Sequence, residues 1–300
     1  MSIERRVPVT AVLSHAVEAS APSGQDPERH IPLHTLQGEQ RVWADRLLRI
    51  FRGRQIDGVE WSLKFSAAGL VGNRFLLGVQ RENWQRIDWA GLPRALAIPQ
   101  RLWSRIVEDM EQARAALFAY EPGEGTGVEG AGTYRIYLER MPMPEALRQH
   151  GVLPLGCGYK WNPATEHEAA VTAYRIRHCK DRAAFECHLQ PYLDALRNPV
   201  ARRVAEDLIG EAARQADPAG FMFLEAQEAQ TRRESFTVTF RGTDLPLRQR
   251  VPDLLLLAES FALPAAQVLD ALLPDDPRSL YSLGAGCARD GNEFMTFYYD

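Results

Sequence analysis

From Val59 to Gln80 the chain reads VEWSLKFSAAGLVGNRFLLGVQ, setting Glu60, Ser62, Lys64, Arg74 and Gln80 between Trp61, Leu63, Phe65, Phe75, Leu77 and Val79. Side chains on a strand alternate between two faces, so the pattern predicts a β-hairpin with one apolar and one charged face, turning at 69–73. Upstream, Val42, Leu47, Leu48 and Phe51 predict a helix over 36–51. Downstream, the chain predicts a short strand at 95–98, a helix over 102–120 with Leu102, Ile106, Met110, Ala113 and Leu117 on one face, and a strand over 132–141. Strands at 152–161 and 169–179 meet at the turn Asn162-Pro163, and helices fill 181–215. Strands at 220–229 and 234–242, helices at 247–260 and 263–272, and a last hairpin of 279–288 and EFMTFYYD around Asp290-Gly291-Asn292 complete the chain.

Hairpins thus recur roughly every 60 residues with helices between them, which predicts about ten antiparallel strands in one closed sheet. The expected fold class is α+β: a closed ten-stranded antiparallel barrel with a polar lumen, surrounded by α-helices. Closure also removes exposed strand edges. If helices cover the sheet from outside, each apolar face points outward and the polar parity lines the lumen. That parity selects Glu60, Ser62, Lys64, Arg74, Leu76, Gly78 and Gln80, then Thr133, Arg135, Tyr137 and Glu139, then Gly156, Gly158 and Lys160. Ser235, Thr237, Thr239, Arg241, Thr296 and Tyr298 continue it. The strand around 171–178 allows either Tyr174 or Arg175 with Arg177 to face inward. Alternation alone also fits a one-sided sheet whose Lys and Arg are solvated, but small barrels ordinarily fill their interior with Val and Leu.

The chain has 300 residues, 45% hydrophobic, with a net charge of -4. That balance argues against a nucleic-acid partner, which calls for a basic stripe. No apolar run is long enough to span a membrane and the N-terminus carries no hydrophobic signal core, so the expected location is cytoplasmic. SAPSGQDPERHIP separates an N-terminal arm, 1–32, from a single domain over 33–300, and EPGEGTGVEGAG (121–132) reads as a loop. Cys157, Cys179, Cys187 and Cys287 form no disulfide framework, and the His178-Cys179 and Cys187-His188 spacing matches no common zinc site, so buried or half-buried free thiols are expected. Against this acidic background, Lys64, Arg74, Arg135, Lys160 and Arg241 would share one lumen and repel one another unless an anion sits among them; a diphosphate is the simplest such anion.

Three islands carry a family resemblance. Val59–Leu77 resembles the first hairpin of the cyanobactin peptide prenyltransferases of the ABBA superfamily, with a Glu near the start of the first strand, a Lys four residues on and Arg-Phe-Leu-Leu opening the second. GAGCARDGNEFMTFYYD resembles that family's terminal hairpin, and TYRIYLERM its internal strand with a basic residue. The resemblance implies transfer of a dimethylallyl or geranyl group from its diphosphate to a nucleophilic side chain of a ribosomally made peptide. It implies Glu60 as the acid near the acceptor nucleophile, and Arg74, Arg135 and Lys64 as holders of the diphosphate. Tyr298 and Tyr299 fall on the terminal aromatics, with parity favouring Tyr298, and the match turns Tyr174 inward. Thr237 and Thr239 stand where aromatic or His residues are expected, so the shield for the prenyl cation falls to Phe223, Tyr137 or other groups, and Phe223 or Leu224 would form the pocket floor.

Each implied role has a chemical reason. Fixed cations stabilise the charge that develops on a departing diphosphate, a task for Lys64, Arg74, Arg135, Lys160 and Arg241. The allylic cation left behind needs π-faces and exclusion of water. Glu60 accepts the acceptor's proton. Magnesium is expected only as a counterion held by phosphate oxygens, because Asp275-Asp276, followed by Pro277, reads as a turn and not as an Asp-rich metal motif. Two alternatives remain open at this level: a prenyltransferase acting on a small phenol or indole, and a non-catalytic barrel that binds an isoprenoid or lipid.

Overall fold

The computed structural model describes residues 36, 38–54, 56–123, 132–140, 150–165, 169–229, 231–272 and 278–299. The N-terminal arm, most of the loop at 121–132 and the Asp275-Asp276 pair lie outside them. Ten strands close into one antiparallel barrel: β1 (Gly58–Ser66), β2 (Gly69–Gln80), β3 (Ala115–Glu121), β4 (Thr133–Glu139), β5 (Val152–Trp161), β6 (Ala170–Arg177), β7 (Met222–Gln227), β8 (Glu234–Thr239), β9 (Leu280–Cys287) and β10 (Glu293–Tyr299), with β10 returning to β1. The helices are α1 (Gly38–Phe51), α2 (Leu92–Ala95), α3 (Gln100–Met110), α4 (Arg182–Asp194), α5 (Pro199–Gln215), α6 (Val251–Ser260) and α7 (Ala265–Ala271).

The hydrophobic core lies between the sheet and the helices. Leu63, Phe65, Phe75, Leu77 and Val79 belong to it, as the alternation predicts. Phe118 of β3 meets Phe51 of α1 edge-on at 5.0 Å, the Tyr134 hydroxyl of β4 donates to the Trp43 carbonyl at 2.6 Å, and the Trp161 indole of β5 donates to the Leu96 carbonyl at 2.9 Å. Tyr134 and Trp161 so placed bury apolar surface while their polar tips find partners.

Three elements depart from the sequence expectation. The helix over 102–120 is α3 followed by strand β3; every residue of AALFAYE is buried, and a strand covered on both faces reads as a continuous apolar run without a period of two. The strand at 95–98 is instead the end of α2 and a turn, where Ala97 has a φ of 50°, outside any strand geometry. The first hairpin turns at Ala67-Ala68 instead of at 69–73, and Gly69, Gly72 and Asn73 lie inside β2. There Ser62 pairs with Arg74 while Lys64 pairs with Val71, so β2 carries one extra residue. That bulge keeps Arg74 on the lumen side with Ser62 and Lys64.

Candidate active site in the barrel lumen

The β1–β2, β3–β4, β5–β6, β7–β8 and β9–β10 connections all gather at one end of the barrel, and the cations meet there. Glu121, the last residue of β3, is 7% exposed and lies at their centre. Arg74 Nε is 3.0 Å from its Oε2, and Arg135 Nη2 makes a closer contact to the same oxygen. Lys64 Nζ and Lys160 Nζ stand 3.4 and 3.7 Å from Oε1. Burial pushes the Glu121 carboxyl up, but Arg135, Lys64, Lys160 and Arg74 together outweigh it and hold the group well below the ordinary carboxylate range. Lys160 is lowered as well, which favours its neutral form: burial lowers it and Glu121 only partly offsets this, leaving it at about 7. Arg74 Nη1 and Arg135 Nε are buried without a hydrogen-bond partner among the described residues.

Next to this cage the lumen turns aromatic. Arg135 Nη1 donates to the Tyr137 hydroxyl at 3.1 Å, and the Tyr137 and Tyr174 rings meet edge-on at 5.6 Å. Gly158 permits this approach, since a Cβ there would come within 2.9 Å of both rings. Tyr298, opposite Ser62 in the sheet, completes the band; burial pushes its hydroxyl up to about 12. The far end is acidic. The Tyr281 hydroxyl donates to Glu60 Oε2, and Glu139, 5% exposed, has an Oε2 without a partner among the described residues. Burial and the nearby Glu60 push the Glu139 carboxyl well above its usual range. Arg74, Arg135 and Glu121 of the cage, the aromatic band and the two carboxylates line one cavity of about 120 Å³.

Of the sequence-predicted residues, Glu60, Arg74, Arg135, Tyr137, Tyr174, Leu224, Arg241 and Tyr298 line this cavity, and Lys64 and Lys160 join it through Glu121. Tyr174 faces inward opposite Gly156, while Arg177 faces out and pairs with Glu225 at 3.0 Å. Two assignments are corrected. Arg241 follows β8 at the acidic end, with its guanidinium 4.1 Å from the Tyr281 ring centroid, so it is not a member of the cation cage. Phe223 points outward: its ring stacks on Phe236 at 5.8 Å and meets His188 and Tyr192 of α4, because alternation cannot turn both Phe223 and Leu224 inward. Cys187 is exposed, where buried or half-buried thiols were expected.

Sequence reading gave no role to Glu121, Glu139 or Tyr281. Glu121 fell in an expected loop, Glu139 stood on the lumen parity without an assigned role, and Tyr281 lies beside a register shift of β9 against β10 that parity does not foresee. Among the described residues no group of three His, Cys, Asp or Glu side chains stands ready to hold a metal ion, and no helix is long and apolar enough to cross a membrane.

A scan against protein-family models finds no match, and a search of curated proteins finds none either. Solved structures do match. NotF prenyltransferase aligns over 97% of this chain and 99% of its own at 10% identity and a TM-score of 0.50. NotF in complex with brevianamide F and DMSPP aligns over 81% and 79% at 13% identity and 0.50. The PriB ternary complex with L-tryptophan and dimethylallyl thiolodiphosphate (DMSPP) aligns over 88% and 90% at 15% identity and 0.46. The chain therefore has the helix-ringed ten-stranded barrel fold of the ABBA prenyltransferases.

Proposed function

We propose that this chain transfers an allylic prenyl group, dimethylallyl or geranyl, from its diphosphate to a nucleophilic side chain of a peptide. The observation that carries the reading is the convergence of Arg74 and Arg135 on one point of an enclosed lumen, with N–H groups still unpartnered, beside a band of three tyrosines. Buried donors without acceptors are costly, and an anion with several oxygens relieves them. The C–O bond of the allylic diphosphate breaks with its electron pair on the departing oxygen, where Lys64, Arg74, Arg135 and Lys160 stabilise the new charge. Tyr137, Tyr174 and Tyr298 face the allylic cation and keep water from it. The acceptor's electron pair forms the new bond to carbon, and its proton passes to Glu60, oriented by Tyr281.

Four cations around one carboxylate make a donor set for an anion and not for magnesium, so no step is routed through the metal; Mg2+ would ride on phosphate oxygens. The peptide acceptor rests on the resemblance of the opening and closing hairpins to the cyanobactin enzymes. A second reading, a small indole acceptor, draws on the NotF complex with brevianamide F. Incubation with dimethylallyl and geranyl diphosphate and a panel of peptides, tryptophan and simple phenols separates them by mass. Addition of the prenyl mass to peptides alone supports the first reading, addition to small aromatics the second. Tight binding of the diphosphates with no adduct on any acceptor would instead make the barrel an isoprenoid carrier.

A further inference from the structure

Glu121 occupies the place an anionic ligand would need. Its two oxygens engage the same four side chains that the proposed function gives to the diphosphate, two on each oxygen. One negative charge among four basic groups leaves the cage partly neutralised, and Arg74 Nη1 and Arg135 Nε stay unsatisfied. The carboxylate cannot leave the cage without losing its four ion pairs, and its backbone is fixed at the end of β3, where Glu121 pairs with Thr133 of β4. An anion entering the cage therefore shares its cations with a fixed like charge at contact distance, where the local medium screens poorly.

We infer that Glu121 is a specificity-determining residue, a resident counter-anion that competes with diphosphate for the cage and weakens the hold on free diphosphate more than on its prenyl ester. The inference rests on the proposed function. Repulsion by a fixed charge grows with the charge of the ligand, and free diphosphate carries one more ionisable oxygen than the ester. Glu121 thus favours substrate over released product, so that the leaving group departs after transfer. Before the donor binds, the same carboxylate keeps Lys64, Arg74, Arg135 and Lys160 from repelling one another.

Isothermal titration of inorganic pyrophosphate into the wild-type protein, Glu121→Gln and Glu121→Asp tests this. The expected result is pyrophosphate binding at least about tenfold tighter in Glu121→Gln, with a smaller gain for the non-hydrolysable ester dimethylallyl thiolodiphosphate. In turnover, the inhibition constant for pyrophosphate falls by the same factor while KM for the acceptor stays put. A purely structural tie would lower Tm in Glu121→Gln and leave pyrophosphate binding unchanged or weaker, and that result overturns the inference. Should Glu121→Gln not fold, Glu121→Asp, whose carboxylate is drawn back by one methylene, is expected to bind pyrophosphate roughly threefold tighter, and equal or weaker binding overturns the inference. Failure of the proposed function reads differently: neither the wild type nor any variant then binds pyrophosphate, and both ideas fall together.

Discussion

Two buried glutamates, one at each end of the lumen, illustrate how the same side chain acquires opposite character. Burial raises both. At the hairpin end four cations reverse the effect and hold Glu121 ionised; at the far end Glu139 has Glu60 for a neighbour and is driven toward its neutral form. Arg241, which is also at the far end, stacks on Tyr281. The strands that build both ends follow one rule, polar in and apolar out, so the division of labour comes from which charged residue each strand places at which depth. A cationic end and an acidic end separated by aromatic rings is the arrangement that the proposed prenyl transfer calls for.

The largest expected effect comes from breaking the cationic end. Arg135→Ala removes a guanidinium in contact with Glu121 and Tyr137. Prenyl transfer is expected to fall by roughly 10²–10³-fold in kcat/KM, as for the loss of other charge-stabilising donors, with pyrophosphate affinity falling too. Steady-state kinetics with dimethylallyl diphosphate checks this. Unchanged kinetics would remove Arg135 from the donor site. Glu60→Gln breaks the other end and sharpens the contrast: turnover is expected to drop by about 10²-fold while pyrophosphate still binds with wild-type affinity. A loss of pyrophosphate binding in Glu60→Gln would mean that the two ends do not divide the work.

A pH titration separates the ends without a mutation. Lys160, at about 7, is largely neutral in the free protein above that pH. Diphosphate binding restores its charge, so binding takes up a proton, and pyrophosphate affinity is expected to fall by at most about tenfold per pH unit above pH 7. In Lys160→Met this slope should flatten. If the wild-type affinity is level between pH 7 and 9, Lys160 does not meet the anion.

The fold was legible because strand parity and helix period rarely conflicted: nine of the ten strands fall within expected spans or overlap them, and the opening hairpin's two-face pattern points directly to a polar lumen. β3 was hidden, since Ala115, Ala116, Leu117, Phe118 and Ala119 present no alternation when both faces are covered. Missing β3 also hid Glu121, the residue that organises the cage. Arg241 shows the complementary error: parity gave its side of the sheet, but depth along the barrel depends on strand tilt and register, which a single strand's sequence does not encode. Phe223 fell to the same alternation that correctly placed Leu224.

Glu139 supplies the smallest effect, and it concerns stability. Its carboxyl is raised in the folded chain by burial and by Glu60, so the fold favours its protonated form while the unfolded chain ionises near the ordinary carboxylate pKa. A raised carboxyl contributes stability that is fully present below the unfolded pKa and is lost as pH rises through the folded one. Gln mimics the neutral acid at every pH, and also gives the unpartnered Oε2 position an amide in place of a potential charge. Glu139→Gln is therefore expected to be more stable than wild type at pH 8, on the order of 1–3 kcal/mol, the scale of an unsatisfied buried polar group. Near pH 4 the two should converge. Thermal melts across that range decide it: a difference independent of pH would show that neither burial nor Glu60 raises the Glu139 carboxyl, and would remove the contrast with Glu121.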